Sequence, residues 1–414
     1  MTELGEIPSE WAISKIGELT EIKTGGTPST KCEKYWKDGD IPWMASGDVN
    51  KKIINEVDGR ITKSGMENSA AKLLPKDTVM IALNGQGKTK GTVAYLNIEL
   101  TCNQSLAGFL PSYNVFNSKY LYYNLQSRYF EIRGLAGDGA RNGLNLGLLR
   151  EILIPIPSIK EQEKIASILS TVDEQIDNVD ALIEKNKELK KGLMQTLLTK
   201  GIGHTKFKKT EIGEVPSEWY IKSIDEITKE VYRYPTYYGI EYVEEGIAEI
   251  RGELLNDDAS IKKESFRYIS EKTAKKFPRT KLEGGDIVIS VRGTIGKVGY
   301  ITEELAGSNI TANLLRVSMN RNIMNEHFVK QLFLSDIMKR KFDEITTATT
   351  IKTFKVPEFK QIILAIPTKD EQDKIASILL EVDKKIEEHE NKKQKLEELK
   401  KGLMQQLLTG RIRV

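Results

Sequence analysis

Cysteine and histidine are scarce in this sequence, which removes several kinds of site from consideration. The 414 residues include two cysteines, Cys32 and Cys102, too few for a disulfide framework and in keeping with a reducing cytoplasm. The three histidines, His204, His327 and His389, are far apart along the chain. We therefore predict no Ser-His-Asp catalytic set and no metal site built on histidine and cysteine.

Long apolar runs and a large net charge are also absent. No stretch approaches the roughly eighteen apolar residues of a membrane span, and the acidic, proline-interrupted start MTELGEIPSEW is unlike a secretory signal. Hydrophobic residues at 39%, charged residues at 29% and a net charge of +3 are ordinary for a globular protein. The length predicts two to four domains, and we expect a soluble cytoplasmic protein. A nucleic-acid partner would require a local positive surface.

What the chain does contain is an internal repeat. The motif GEIPSEW near the start recurs as GEVPSEW at an offset of 208 residues. A second shared stretch begins at Pro157 and Pro367, at an offset of 210, and runs through KKGLMQ and LLT. The chain is therefore two halves, each with an opening motif, a globular segment and a long helix.

Each of the two shared stretches has the periodicity of a coiled-coil seam. Apolar residues alternate at spacings of four and three over five heptads within residues 160–199 and 370–409. Forty helical residues span about 60 Å, and so narrow a stripe needs a partner, so we expect the two helices to pair. The predicted seam residues are Ile165, Leu169, Val172, Ile176, Val179, Ile183, Leu193 and Leu197 in the first helix, and Ile375, Leu379, Val382, Ile386, Leu396, Leu403 and Leu407 in the second.

Polar residues interrupt this seam. Lys190, Lys393 and Lys400 occupy seam positions, as do Asn186 and His389. Asn186 and His389 either fix the register of the pair or mark the places where the seam frays towards water.

The two globular segments, 20–155 and 228–366, are less alike but follow the same order of elements. Apolar runs at 78–83, 92–96 and 287–291 predict strands, and helical spacing appears near 118–133 and 325–342. Glycine-rich turns separate these elements. A shared scaffold with different loops is typical of domains that recognise two different things.

The sharpest candidate for chemistry is NGQGKT at residues 84–89. A phosphate-binding loop needs a glycine five residues before Gly-Lys-Ser/Thr and a helix after it. Ala82 occupies the glycine position, and the following KGTVAYL predicts a strand. A loop that faces DNA fits better, since Gln suits adenine, Arg suits guanine and Lys neutralises phosphate. A plain hairpin with solvated lysines is the alternative.

Candidate DNA contacts lie on loops of both segments, where turns and solvated surfaces are again the alternative. A basic stretch with interleaved aromatics, 262–281, is typical of a phosphate-tracking face. The candidates in the first segment are Thr27, Ser29, Lys31, Ser46, Gln86, Lys88, Lys90, Arg141 and Asn142. Those in the second are Arg233, Arg251, Arg267, Arg292, Thr294, Lys297 and Lys352. No catalytic residue, metal ligand or cofactor is predicted.

The helix openings IPIPSIKEQEKIASIL and AIPTKDEQDKIASIL, with the repeated opening motif and KGLMQ, resemble the specificity subunit of type I restriction–modification enzymes. The resemblance covers essentially the whole chain. It implies that each globular segment is a target-recognition domain for one half of a bipartite sequence in double-stranded DNA, and that the helices are the spacer. Separate modification subunits, two per chain, and restriction subunits would supply methylation, translocation and cleavage. No membrane partner is implied.

The sequence therefore predicts an α+β protein with a pseudo-two-fold internal repeat. The predicted parts are a first recognition domain at 1–155, a coiled-coil helix at 156–204, a second recognition domain at 205–366 and a second coiled-coil helix at 367–414. An approximate two-fold relation between the halves requires the helices to pair antiparallel. A nucleotide-dependent enzyme and a purely structural coiled-coil scaffold are the competing hypotheses.

Overall fold

The structure, a computed structural model, describes residues 6–85, 87–137, 143–233, 240–346 and 354–414. The chain divides into two compact units. Unit 1 consists of Met1–Asp180 and Asn391–Val414, and unit 2 of Ala181–Glu390. Each unit therefore contains one globular segment, the start of one long helix and the end of the other.

Short strands and helices alternate through the described residues of the first half. The strands are β1 (Ala12–Lys15), β2 (Ile22–Thr24), β3 (Ile41–Met44), β4 (Ile53–Ile54), β5 (Arg60–Ile61), β6 (Val79–Ala82), β7 (Val93–Leu96), β8 (Thr101–Cys102), β9 (Leu106–Phe109) and β10 (Leu153–Ile156). The helices are α1 (Ile16–Leu19), α2 (Lys63–Glu67), α3 (Ser118–Ser127), α4 (Tyr129–Gly134), α5 (Leu146–Arg150) and α6 (Ile159–Lys200).

The core of unit 1 is built on a sheet with the strand order β2-β9-β6-β7-β4. Val79 and Ile81 of β6 face one apolar cluster, which includes residues of α3, while Met80 and Ala82 face a second cluster on the other side. A strand buried on both faces needs apolar residues at every position, which explains the continuous run TVMIAL. A smaller sheet, β5-β3-β8, completes the segment.

The second half repeats this arrangement after an additional hairpin. Its strands are β11 (Phe207–Thr210), β12 (Gly213–Pro216), β13 (Tyr220–Ser223), β14 (Thr228–Arg233), β15 (Tyr242–Val243), β16 (Ile247–Ile250), β17 (Arg267–Ile269), β18 (Ile287–Ser290), β19 (Val298–Tyr300), β20 (Asn309–Ile310), β21 (Leu314–Met319) and β22 (Ile363–Ile366). Its helices are α7 (Ile224–Ile227), α8 (Glu271–Lys276), α9 (Glu326–Leu334), α10 (Asp336–Ile345), α11 (Val356–Gln361) and α12 (Lys369–Leu407).

Unit 2 has the strand order β14-β21-β18-β19, which matches β2-β9-β6-β7 of unit 1. Its second sheet, β15-β17-β16-β20, contains the counterpart of β5-β3-β8. Val288 of β18 faces one cluster while Ile287 and Ile289 face the other, as in β6. The expectation of two similar scaffolds is confirmed.

Each helix predicted near 118–133 and 325–342 is in fact a pair of shorter helices. Arg128 leaves helical geometry between α3 and α4, and its guanidinium donates to the Leu153 carbonyl at 2.5 Å. Ser335 ends α9 and caps α10, because its hydroxyl accepts from the Met338 amide at 3.4 Å. Apolar periodicity does not reveal such a break, because buried apolar residues continue on both sides of it.

The long helices pair antiparallel within unit 1. Lys400 lies 2.6 Å from the carboxylate of Asp173, and Lys393 lies 2.7 Å from that of Asp180. Moving seven residues forward in α6 therefore corresponds to moving seven residues back in α12. The lysines that interrupt the predicted seam are thus neutralised by aspartates of the opposite helix.

The same antiparallel pairing occurs within unit 2 between the other ends of these helices. Lys190 lies 2.6 Å from Asp383, and Lys187 lies 3.8 Å from Glu390. Of the fifteen predicted seam residues, ten are buried and the remaining five, Ile176, Leu193, Ile386, Leu396 and Leu403, are half-buried.

A two-stranded sheet closes each globular segment where it meets its helix. β1 pairs antiparallel with β10 in unit 1, and β13 pairs with β22 in unit 2. The tryptophan of each opening motif packs beside this sheet: Trp11 Nε1 donates to Glu161 at 3.2 Å, and Trp219 Nε1 donates to Glu371 at 2.9 Å. In each unit, the opening motif therefore binds the start of the long helix that follows it.

Each of these glutamates also binds a residue from beyond the end of the opposite helix. Arg413 donates to Glu161 at 2.6 and 2.9 Å, and His204 Nε2 lies 2.9 Å from Glu371. The hydrogen bonds from Arg413 lower the pKa of Glu161 from its ordinary value. We call each tryptophan, its glutamate and this third residue a clasp.

The glutamine that follows each glutamate fixes the start of the helix to the globular segment. Gln162 accepts from the amide of Asn117 at 2.8 Å, and Gln372 accepts from the amide of Asn325 at 2.9 Å. Each glutamine also donates to the carbonyl of the proline five residues earlier. The two asparagines are the N-caps of α3 and α9, so each glutamine positions a helix of the core.

Candidate nucleic-acid interface

Most candidate residues of unit 1 lie on loops at one end of the strands of the larger sheet. We call this end of the strands the loop edge of the sheet. Thr24 pairs with Ala107, and Ala82 pairs with Leu106, so β2 and β6 end where β9 begins. β7 also begins at this edge, because Ile81 pairs with Val93. The loops that follow β2, β6 and β3 carry the described candidates Thr27, Ser29, Lys31, Ser46, Lys88 and Lys90.

The loop TGGTPST after β2 is held tightly against its neighbours. A Cβ at Gly25 would lie 1.8 Å from the Cys102 carbonyl oxygen, so only glycine fits there. Trp43 Nε1 donates to the Gly26 carbonyl at 3.0 Å. The Thr27 hydroxyl donates to Gln104 at 2.6 Å, while Ser29 and Lys31 are exposed. The loop is a fixed platform that presents hydroxyls and a cation to solvent.

The β6–β7 hairpin contains three glycines with positive φ, Gly85, Gly87 and Gly91. Helix α4 supports it from behind: Tyr129 donates its hydroxyl to the Lys88 carbonyl at 2.9 Å, and Arg133 donates to the Lys90 carbonyl at 2.9 Å. The strand β7, not a helix, follows this loop. Without a helix N-terminus the loop lacks what a phosphate-binding loop requires, so the nucleotide hypothesis loses its main support.

Unit 2 presents two arginines at the equivalent edge of its sheet. Arg233 is the last residue of β14 and pairs with Leu315, next to the pairing of Leu314 with Ser290 at the end of β18. Arg292 follows β18 and is exposed, as is Thr294. Partial burial, and then the nearby positive charge of Arg292, lower the pKa of Arg233 from its ordinary value. A phosphate placed beside this pair would relieve the repulsion.

Three other candidates of unit 2 are engaged within the unit. Arg251 pairs with Glu253 and donates to the Ser265 carbonyl at 2.6 Å. Lys297 donates to a main-chain carbonyl at 3.3 Å, and Arg267 lies over the ring of Tyr242 at 6.0 Å. These residues shape the loops, and their role in DNA contact stays a prediction.

Four candidates lie outside the described residues: Gln86, Arg141, Asn142 and Lys352. Their assignment to DNA contact also stays a prediction.

Sequence reasoning missed the part played by α4. Tyr129 and Arg133 are one helical turn apart and both hold the β6–β7 hairpin, and Phe130 between them is exposed. The i, i+4 spacing of a tyrosine and an arginine was the available signal. Nothing in the sequence indicated that their partner was a loop about forty residues earlier.

Neither a metal centre nor a membrane span emerges from the described ranges. Within them, no three His, Cys, Asp or Glu side chains converge to hold a metal ion. No helix there is long and apolar enough to cross a membrane.

A family model described as the type I restriction modification DNA specificity domain matches the chain twice, at residues 8–189 and 205–398. These matches cover most of the chain, which therefore belongs to the specificity subunits of type I restriction–modification systems. The family is one of DNA recognition, so the prediction of a non-catalytic subunit is confirmed.

Individual relatives match along almost the whole length. The MjaVIII specificity subunit of Methanocaldococcus jannaschii is 24% identical over 417 residues, which cover 99% of this chain and 94% of that protein. The MjaIX specificity subunit of the same organism is 26% identical, with 100% and 96% covered. A crystal structure of an S subunit from M. genitalium has a TM-score of 0.60 at 20% identity and covers 98% of both chains. This likeness confirms the fold.

Proposed function

We propose that each unit reads one half of an asymmetric, bipartite sequence in double-stranded DNA. The paired helices would set the spacing between the half-sites and bind the modification subunits. One observation carries the proposal: the units share their strand order and their clasps but differ in the loops at the sheet edge. A scaffold kept twice with two sets of loops fits two different base sequences.

The two edges differ in chemistry as well as in sequence. Unit 1 presents hydroxyls and lysines on rigid, glycine-rich loops, whereas unit 2 presents Arg233 and Arg292 together. Arginine binds guanine with two hydrogen bonds, and lysine mainly binds phosphate. The half-site of unit 2 is therefore the better candidate for a guanine read through Arg292.

The long helices carry an exposed surface that the two halves share. Gly192 and Gly402 lie inside these helices, and a Cβ at either position would meet nothing within 4 Å. Glycine costs a helix about 1 kcal/mol relative to alanine, and nothing in the described residues requires it at these two positions. One turn earlier, Leu189 and Leu399 are 50% and 51% exposed.

We name Leu189, Gly192 and Gln195, and equally Leu399, Gly402 and Gln405, the shared patch. Its glutamines are exposed, and its members lie three residues apart on one side of their helix. A glycine beside an exposed leucine lets another backbone approach closely. Because the same patch occurs once in each unit, it fits two copies of one partner, the modification subunit. Restriction subunits would join through that complex, which acts on DNA in the cytoplasm.

The test compares two substitutions in the complex of this chain with its modification subunits. The target is first identified by mapping the bases that the complex methylates. Arg292→Ala should relax discrimination only in the half-site of unit 2, and Gln86→Ala only in that of unit 1, each by roughly 1–3 kcal/mol. Lys229→Ala, an exposed cation at the opposite end of β14, is the control and should change neither.

Competition binding against duplexes altered at one base pair at a time measures these effects. If a substitution lowers the affinity equally for all sequences, the replaced residue contacts phosphate and not bases. Complexes without any sequence preference would favour the structural scaffold. The isolated chain should bind DNA weakly and neither methylate nor cut it, and either activity in the purified chain would contradict the proposal.

A further inference from the structure

One aromatic side chain in unit 1 lies open to solvent beside the candidate interface. Phe130 of α4 is 86% exposed, the largest fraction for any large hydrophobic side chain in the part of the chain that the structure describes. Its ring meets that of Tyr129 edge-on, with centroids 5.1 Å apart. Burial of a phenyl ring is favourable, so a partner that covers this ring would bind more tightly because of it.

The position of Phe130 is fixed by the residues on either side of it. Tyr129 and Arg133 bind the carbonyls of Lys88 and Lys90, and Ile132 is fully buried in the core of the unit. The ring is therefore carried on a helix that is bound on one side to the core and on the other to the β6–β7 hairpin. Whatever the hairpin faces, Phe130 is held close to it.

A comparison of the two units indicates which partner covers the ring. Gly91 and Gly296, with φ of 83° and 84°, end equivalent hairpins. Gly91 faces Arg133 of α4 and Gly296 faces Phe342 of α10, so α10 takes the place of α4. The exposed residues of α10 are all charged: Asp336, Lys339, Arg340, Asp343 and Glu344.

The end of α4 shows the same difference. Leu135, the C-cap of α4, is apolar and 41% exposed. A partner that binds both halves alike would meet an apolar surface in one unit and a charged one in the other. A partner common to both units would instead bind a surface that is the same in both, such as the shared patch on the long helices. The partner that differs between the units is the DNA, which has a different half-site for each.

We propose that Phe130 packs against the apolar surface of bases in the half-site read by unit 1. A phenyl ring donates no hydrogen bond and carries no charge, so it neither binds phosphate nor reads base edges by hydrogen bonding. The apolar surfaces of DNA are the faces of unstacked bases and the methyl groups of thymine. This inference rests on the proposed function, because it requires the β6–β7 hairpin to face DNA.

The experiment uses the full chain in complex with its modification subunits and the cognate duplex. Phe130→Ala should weaken binding about 5- to 150-fold, the range for loss of an aromatic–base contact, and Phe130→Leu should weaken it less. On a duplex whose first half-site is scrambled, wild type and Phe130→Ala should bind equally. Tyr113→Ala, which removes a 67% exposed aromatic at the opposite edge of the sheet, is the control and should bind like wild type.

Two modified duplexes separate the two apolar surfaces of DNA. The first duplex carries 2-aminopurine in the first half-site. If its fluorescence rises when wild type binds but not when Phe130→Ala binds, the ring of Phe130 lies against an unstacked base. In the second duplex, deoxyuridine replaces one thymidine of the first half-site. If this replacement weakens binding by wild type as much as Phe130→Ala weakens binding to the unmodified duplex, Phe130 contacts the methyl group of that thymine.

Equal affinity of Phe130→Ala and wild type would overturn the inference, as would a loss of bound modification subunit. A loss that persists on the scrambled duplex would do the same. If wild type itself shows no preference for the cognate duplex, the proposed function fails, and this inference fails with it.

Discussion

At the scale of single residues, unit 2 contains a buried ion pair at the start of β18. Asp286 is buried and accepts from Arg316 at 2.8 Å and from Ser318 at 2.5 Å. Arg316 is also buried, and its other carboxylate neighbours, Glu230 and Glu283, lie 3.7 and 3.6 Å away. Asp286 is thus the main counter-charge of a buried guanidinium.

Asp286→Asn should lower the free energy of unfolding of unit 2 by about 3 kcal/mol, because it leaves Arg316 buried without its closest counter-charge. In unit 1, Thr78 takes the place of Asp286, and the described side-chain partners of the neighbouring Asp77 are the neutral hydroxyls of Tyr95 and Tyr113. Asp77→Asn removes a carboxylate without leaving a buried cation unpaired, so it is the control and should cost about 1 kcal/mol or less. Urea titration of both variants measures the difference, and equal losses would show that the pairing with Arg316 contributes little.

The clasp of unit 1 should make stability depend on acidity. The pKa of Glu161 is lowered chiefly by the hydrogen bonds from Arg413, so the folded state holds this carboxylate ionised at a pH where the unfolded chain is protonated. The stabilisation is present above the unfolded pKa, about 4.3, and is lost as the pH falls through the lower, folded pKa.

Arg413→Met should therefore be less stable than wild type at pH 7, and the difference should shrink between pH 5 and pH 3. Unfolding by urea at a series of pH values measures it. Arg411→Met, which replaces an exposed arginine two residues earlier, is the control and should follow wild type. A difference that is constant with pH would exclude Glu161 as the partner that matters.

The sequence predicted the repeated motifs but not the contacts that their residues make. The repeated tryptophan and Glu-Gln pairs stand out because each occurs twice at nearly one offset. That Trp11 donates to Glu161 depends on how β1 and β10 bring together residues 150 positions apart. Local patterns carry no information on such a pairing.

At the scale of elements, the long helices have inner positions that hold the chain together and, as proposed, an outer patch that binds the modification subunits. Their inner positions pair through apolar residues and through lysine–aspartate contacts, while the shared patch faces away from this pairing. The seven-residue period predicted these helices, because a seam is a local and regular pattern. Their antiparallel pairing was predicted from the two-fold relation between the repeated halves. The patch was not predicted, since exposure has to be seen in three dimensions.

Gly192→Ala should stabilise the chain by about 0.5–1 kcal/mol, because the exposed helix position gains the higher helix propensity of alanine. Gly192→Arg should fold equally well but retain one modification subunit in place of two. The same substitution at both Gly192 and Gly402 should retain none. Native mass spectrometry of the assembled complex measures the stoichiometry.

Asn178→Arg is the control for this experiment, since it changes an exposed residue of α6 that α12 does not share. It should leave two modification subunits bound. Full occupancy in the doubly substituted chain would show that the modification subunits bind elsewhere.

At the scale of the whole molecule, the repeat predicts that half a chain can pair with itself. The end of α6 packs on the start of α12 in unit 2. The start of α6 offers the same residues at the same spacing, with Ile165 and Leu169 in place of Ile375 and Leu379. A second copy of the first half can therefore take the place of the second half.

A chain that ends after His204 should form a homodimer, in which His204 of one copy is available to Glu161 of the other. Light scattering measures its mass, and Leu169→Asp, which buries a charge in the seam, should yield a monomer. With modification subunits, the dimer should direct methylation to an inverted repeat of the first half-site. A stable monomer would contradict the pairing, and recognition of the original asymmetric target would contradict the assignment of one half-site to each unit.

The two-stranded sheets that close the globular segments have a consequence for inheritance. Because β1 and β10 lie side by side, and β13 and β22 likewise, each segment leaves the framework at the place where it joined it. The flanking motifs are nearly identical in the two halves, down to the clasp glutamates and the glutamines beside them. If each segment reads one half-site, as proposed, a recombination event that replaces the sequence between these motifs would exchange one recognition domain and leave the helices and their shared patch unchanged. A new DNA specificity would then arise in a single step, without any change to the surface proposed to bind the modification subunits.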